Sequence, residues 1–203
     1  MAYPEEDPPE VSILLLGDAG VGKSLFLSRL TLGRDAPPDA KLPRLRDLDQ
    51  PYPFNIRMYN RPYRFEFSDT ASPTNYTLLR PSVIIMCYSI GDPESLESLQ
   101  KTWKNVVETH FNYDESMPVI VLGLKRDVRS KADYGGNVNE KRQFVYPQEA
   151  LRIAQEMRCD RYCECSALTG ELCREVFEDI AKTAAMTTTS NGGKTQGTEC
   201  SVM

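Results

Sequence analysis

Gly17-Asp18-Ala19-Gly20-Val21-Gly22-Lys23-Ser24 lies at the junction of two differently patterned segments. Before it, residues 11–16 (Val-Ser-Ile-Leu-Leu-Leu) are a short apolar run that reads as a buried strand. After it, Phe26, Leu27 and Leu30 recur at helical spacing until Gly33, a natural helix stop. The junction satisfies G-x-x-x-x-G-K-[ST] in full, in the strand-then-helix context that gives the pattern meaning. Phosphate needs several donors converging in a small volume. Glycines let the backbone curl so that successive N–H groups point inward, and the following helix adds its positive end. Lys23 is placed to neutralise phosphate, and the Ser24 hydroxyl to ligate Mg²⁺. A glycine-rich turn with a chance Lys-Ser is the competing reading, and the flanking elements argue against it.

The loop does not name the base. Residues 119–124 (Val-Ile-Val-Leu-Gly-Leu) read as another buried strand, followed by Lys125-Arg126-Asp127. An Asp carboxylate can accept two hydrogen bonds from guanine, one from N1–H and one from the exocyclic amine; adenine offers no such pair. Cys165-Ser166-Ala167-Leu168 closes a further short strand, and a backbone N–H there can donate to guanine O6. Lys-x-Asp alone is a common pattern of solvated loops. Its place after one strand, with Ser-Ala-Leu after the next, makes the two a guanine-reading set. An ATP-dependent kinase on the same loop is the competing class, and Asp127 argues against it.

Elsewhere, Phe54, Ile56 and Met58 alternate with polar neighbours, as do Tyr63, Phe65 and Phe67. With Asn60-Arg61-Pro62 between them, these runs predict a hairpin with one strand near an edge. Residues 82–89 form a near-continuous apolar strand. Leu96, Leu99, Trp103 and Val106 make a helical stripe; Ala150, Leu151, Ala154 and Met157 mark another helix, and Val176, Phe177, Ile180 and Ala184 a last one. The order β-α-β-β-β-α-β-α-β-α predicts an α/β fold. Its six-stranded sheet is mostly parallel, carries helices on both faces, and binds ligand at the strands' carboxyl ends.

With 203 residues, 40% hydrophobic and 26% charged, the chain has enough material for one core-forming domain. That domain is expected over residues 11–185, between a flexible N-terminus (1–10) and a Thr/Ser/Gly-rich disordered tail (186–203). A net charge of −5 disfavours nucleic acid as a partner. The longest interior apolar run, residues 83–87, falls far short of the roughly 20 residues that span a membrane. The Pro- and Glu-rich start is not expected to be a signal peptide, and Ala2 excludes N-myristoylation of the usual kind. Six cysteines beside a single histidine point to a reduced setting rather than a disulfide framework. Cys163 and Cys165 read as strand residues sharing a face rather than as metal ligands.

Further details point the same way: Leu79-Arg80-Pro81, Ile85-Met86-Cys87-Tyr88-Ser89-Ile90, Trp103, Glu164-Cys165-Ser166-Ala167-Leu168-Thr169 and Arg174-Glu175-Val176-Phe177. With these, the chain resembles the small GTPases of the Ras superfamily, and among them the Rho branch, over residues 11–185 and the last four. The resemblance implies a P-loop NTPase fold of the small G-protein type that binds GTP and GDP with Mg²⁺. Gly17, Asp18, Ala19, Gly20, Val21, Gly22, Lys23 and Ser24 would hold the phosphates, and Ser24 and Asp69 the metal. Lys125, Asp127, Ser166, Ala167 and Leu168 would form the base site. The polar insert near 128–146 matches a Rho feature that carries an extra helix, which Tyr134-Gly135-Gly136-Asn137 disfavours here.

The departures from the family pattern concentrate where the γ-phosphate is sensed. Asp69-Thr70-Ala71-Ser72-Pro73 stands in place of Asp-x-x-Gly-Gln. Ser72 keeps an N–H but loses glycine's freedom, and Pro73 has no amide to orient an attacking water. The stretch that follows, the second switch, is also shorter than the Rho pattern. No Thr occurs between Thr31 and Thr70 to close over the γ-phosphate, and residues 32–51 hold no Ser or aromatic residue. Eight of the fourteen prolines fall between Pro37 and Pro81, which predicts a stiffened first switch. Leu124 replaces the family's Asn or Thr, and Ala19 a frequent Gly. Guanine nucleotide is therefore expected to bind with very slow hydrolysis, and no catalytic residue is assigned. Arg44 and Arg46 are candidates for reaching the γ-phosphate. A scaffold that recruits partners without a nucleotide cycle is the alternative.

Cys200-Ser201-Val202-Met203 matches C-a-a-X, with the terminal Met favouring farnesyl. Lys194 is the only basic residue between 186 and 199, so one lipid would anchor marginally and reversibly. Expected partners are effectors, exchange factors and a prenyl-binding chaperone. The expected place is the cytoplasmic face of membranes, chiefly the plasma membrane, in exchange with the cytosol.

Overall fold

Period-two patterning in β1 decides the layering. The computed structural model describes residues 8–33, 36–58, 60–70, 73–111, 116–129 and 144–189. In β1 (Glu10–Leu16), Val11, Ile13 and Leu15 join one buried cluster while Leu14 and Leu16 join another. A strand with apolar residues on both faces must be covered on both, which is why the run is continuous rather than alternating. The remaining strands are β2 (Tyr52–Met58), β3 (Arg61–Asp69), β4 (Val83–Ser89), β5 (Val119–Leu124) and β6 (Arg161–Glu164). They form one six-stranded sheet in the order β2-β3-β1-β4-β5-β6. Only β2 and β3 pair antiparallel. The expected α/β architecture is the one found.

One face carries α1 (Lys23–Thr31) and α6 (Cys173–Met186). Phe26 and Leu27 from the first and Val176, Ile180 and Ala184 from the second pack on Phe65, Phe67, Ile85 and Leu122. The other face carries α3 (Pro93–Ser98), a π-helical segment (Leu99–Trp103), α4 (Lys104–His110) and α5 (Pro147–Glu156). Leu96, Leu99, Trp103 and Ile153 cover Ile84, Met86 and Tyr88 there. The stripe read from Leu96 to Val106 is thus one helical run, interrupted by a π turn that its spacing does not announce. A short helix, α2 (Pro73–Tyr76), follows β3.

Several boundaries differ from expectation. The hairpin turn is shorter than Asn60-Arg61-Pro62, because Arg61 and Pro62 already belong to β3 and Arg61 pairs with Met58. Asn60 takes φ +63°, a conformation Asn tolerates well in tight hairpins. Pro62 fits inside β3 because β1 pairing starts only at Arg64. The last helix runs to Met186, and Thr187, Thr188 and Thr189 still donate backbone bonds to Ala184, Ala185 and Met186. The core of the polar insert and residues 190–203, Cys200 among them, lie outside the described residues. The insert is closed at its base: Val145 N–H donates to Ile90 O at 2.9 Å, and Arg129 donates to Val145 O at 2.9 Å. Arg129 also meets Glu164, which in turn accepts from Tyr162 Oη and lies 3.6 Å from Arg126 Nε. No helix among the described residues is long and apolar enough to cross a membrane.

Candidate nucleotide site

The phosphate-type loop joins the carboxyl end of the central strand β1 to the start of α1. Gly17 has φ +140°, and a Cβ there would stand 2.1 Å from the carbonyl oxygen of Cys87 in β4. The first glycine therefore lets the loop leave the sheet against its neighbour's backbone. Gly22, at φ +117°, caps α1 and accepts the Phe26 N–H at 2.9 Å, so the helix N-terminus opens onto the loop. No acidic residue lies in the first turn of α1 to compensate that positive end. Val21 is buried and anchors the loop in the core.

Lys23 is only 7% exposed. Its ammonium donates to Gly17 O (2.8 Å) and Asp18 O (2.9 Å) and lies 3.9 Å from Asp69 Oδ1. Asp69 ends β3 opposite Leu15 and accepts from Ser24 Oγ at 2.5 Å. Burial pushes the Asp69 carboxyl above its ordinary value, while the Ser24 bond and the Lys23 charge pull it back. Its backbone is clamped from both sides by Gln50, which donates to Asp69 O (3.0 Å) and accepts the Asp69 N–H (2.8 Å).

The base-side residues converge on the same end of the sheet. Lys125, at φ +61°, reaches back to donate to Gly20 O at 2.6 Å and so ties the β5 loop to the phosphate-type loop. Asp127 is 6% exposed and accepts from buried Ser166 Oγ at 2.6 Å. Arg126 N–H donates to Cys165 O, joining the two base-side loops through backbone as well. Leu168 stands exposed at the rim. Leu124 is fully buried and packs beside Gly22, so the position lends the base loop packing rather than a polar bond.

Two participants, and the side-chain role of a third, had no signal in the sequence. Arg29, 5% exposed, donates to Ala167 O (2.7 Å), Leu168 O (2.8 Å), Pro37 O (3.1 Å) and Pro38 O (3.0 Å). One guanidinium therefore holds the base loop and the segment after α1 together. Gln50 is the second. The third is the Asp18 side chain, which turns away from the loop and accepts from Ser98 Oγ and Trp103 Nε1, both at 2.8 Å. The proline-rich segment is pinned further by Ser28 Oγ to Pro43 O (2.5 Å) and Tyr52 Oη to Arg46 O (2.9 Å). Arg46 is taken up by a two-pronged contact with Asp49, both bonds 2.8 Å. Ala71 and Ser72 lie outside the described residues.

A glycine loop at the strand ends, with a cation, a hydroxyl and a carboxylate on one side and a second carboxylate on the other, suits a polyphosphate joined to a hydrogen-bonding base. The Ras family model matches residues 12–186. The chain is 29% identical to the GTP-binding protein rho2 of Schizosaccharomyces pombe, over 98% of each chain. It is 28% identical to the GTP-binding protein RHO1 of Saccharomyces cerevisiae, over 90% of this chain and 87% of that one.

Proposed function

The chain belongs to the Ras family of small GTPases, and on that premise we propose that it is a guanine-nucleotide-binding signalling protein of the Rho type with very slow intrinsic hydrolysis. The observation that carries this reading is the meeting of Lys23, Ser24 and Asp69 with Asp127 and Ser166 at one end of one sheet. Lys23 and the N–H groups of residues 17–24 neutralise phosphate. Ser24 and Asp69 offer oxygen ligands for Mg²⁺, which supplies charge neutralisation when bound. Asp127 accepts from the guanine edge, with Lys125, Ser166, Ala167 and Leu168 forming the rest of the base site.

Slow hydrolysis is supported by Pro73 at the position of the family's water-orienting Gln and by the absence of Thr between Thr31 and Thr70. The remaining parts of the reading follow from the Rho likeness and the C-a-a-X ending. Effectors and exchange factors bind the nucleotide-dependent surface. A prenyl group on Cys200, carried by a prenyl-binding chaperone, gives reversible attachment to the cytoplasmic face of membranes.

The test is to purify the full chain with Mg²⁺, denature it and identify the released nucleotide by chromatography. Near-stoichiometric GTP is the expected result. GDP in its place, or a single-turnover rate like that of ordinary family members, would overturn the hydrolysis reading. Asp127→Ala should lose the preference of guanine over adenine nucleotides, measured as the ratio of GTP to ATP affinity. Equal affinities in the parent protein would remove Asp127 from its role.

A scaffold without a cycle is the second reading, and the Gln50 clamp on Asp69 favours it, because it fixes the metal-side carboxylate through backbone bonds that a switching segment would have to break. A protein that purifies empty and gains no nucleotide on incubation would put this reading first.

A further inference from the structure

We propose that Ser98 and Trp103 are positioning residues for the nucleotide: the π turn between them aims both at the Asp18 side chain, and together they hold that carboxylate clear of bound phosphate. The inference rests on the phosphate-site reading above.

A carboxylate in a phosphate loop is a problem of like charge. Asp18 is the only acidic residue in residues 17–24. Its backbone carbonyl accepts from Lys23 Nζ at 2.9 Å, so its main chain belongs to the site. A carboxylate left free on that backbone would stand near the phosphate charge and weaken its binding. Among the described residues Asp18 makes no ion pair. Two neutral donors hold it instead, Ser98 Oγ and Trp103 Nε1, both 2.8 Å from the same oxygen, Oδ1. Hydrogen bonds to an ionised acceptor are roughly twice as strong as neutral ones.

The layering sets the direction of the pull. The apolar residues of α1 pack on one face of the sheet, and Leu96, Leu99 and Trp103 pack on the other. The Asp18 carboxylate is therefore drawn towards the face opposite α1, while its carbonyl stays with Lys23.

An ordinary α-helix would point the two donors apart. At 3.6 residues per turn, positions five apart diverge by about 140° around the axis. Ser98 and Trp103 are five apart, and the turn between them is widened: the Lys104 N–H donates to Leu99 O, five residues back. The extra residue in that turn brings both side chains round to one carboxylate oxygen. The indole is also fixed from its other side. Trp103 is 6% exposed, and its ring meets Tyr76 of α2 edge-on at 6.1 Å.

The experiment loads the full chain with a fluorescent GDP analogue and Mg²⁺, adds excess unlabelled GDP, and follows release. Ser98→Ala and Trp103→Phe should each speed release by about tenfold, the size of one lost bond to a charged group. The cause is the freed Asp18 charge, so a neutral acceptor in its place should cancel the effect. In an Asp18→Asn background, each of the two substitutions should change release by less than about twofold. Packing lost at position 98 or 103 would persist in that background. Ser98→Ala removes only a hydroxyl from a half-buried helix position, so the comparison is decided even where Trp103→Phe fails to fold. Release at the parent rate in Ser98→Ala, or an acceleration that survives Asp18→Asn, would overturn this inference alone. A parent chain that holds no analogue would overturn the phosphate-site reading and this inference with it.

Discussion

Gly17→Ala should purify without bound nucleotide and with a lowered unfolding free energy, while Gly20→Ala should keep most of both. At Gly17 the added methyl would lie 2.1 Å from the Cys87 carbonyl oxygen. That oxygen belongs to a fully buried strand paired on both sides, by β1 and by β5, so it cannot retreat. The loop must move instead, and with it the Gly17 carbonyl that anchors Lys23. Overpacking of this kind costs about 1–3 kcal/mol, to which the backbone strain at φ +140° adds. At Gly20 nothing lies within 4 Å of the added methyl, and only the left-handed backbone is penalised, by about 1–2 kcal/mol. Nucleotide content after denaturation and urea unfolding of both variants measure this. Equal nucleotide content in Gly17→Ala and the parent would show that the loop is not held as described.

Arg129→Met should destabilise the fold by about 3 kcal/mol, the low end of the range for stripping one partner from a buried ion pair. Glu164 is 5% exposed, and its carboxylate depends on Arg129 and Tyr162, with Arg126 at 3.6 Å as a weaker third contact. The variant leaves that charge in the core with less to neutralise it, and Val145 O loses its donor. At this chain length the melting midpoint should fall by about 6–12 °C. Arg129→Met combined with Glu164→Gln should recover most of the loss, because the neutral amide no longer needs a cation. A single variant as stable as the parent in urea would remove the pair from any role in closing the insert.

These two cases differ in how legible they are from the residues alone. A glycine at 17 is announced by the motif, because its positive φ is a local dihedral, whereas the Cys87 carbonyl that an added methyl would strike is brought there only by the pairing of β1 with β4. The strands and helices were legible for the same reason: apolar periodicities in residues 11–16, 83–89 and 173–186 are local records of which faces must be covered. The π turn at Leu99–Trp103 and the start of β3 at Arg61 left no such record, because hydrophobic spacing tolerates one extra residue in a helical turn and a shift of a strand end.

By itself the sequence determined the α/β class and the mostly parallel sheet with its one hairpin, because each depends on neighbours close along the chain. The tertiary structure alone decided which polar side chains turn inward to hold those pieces in register. Arg29 meets carbonyls 138 and 139 residues away, Gln50 a backbone 19 away, and Asp18 an indole 85 away. Arg129 and Glu164 are 35 residues apart. Nothing local distinguishes these residues from solvated ones of the same type. Their roles arise when packing removes water from them, and a buried charge or donor must then find its partner wherever the fold has put one.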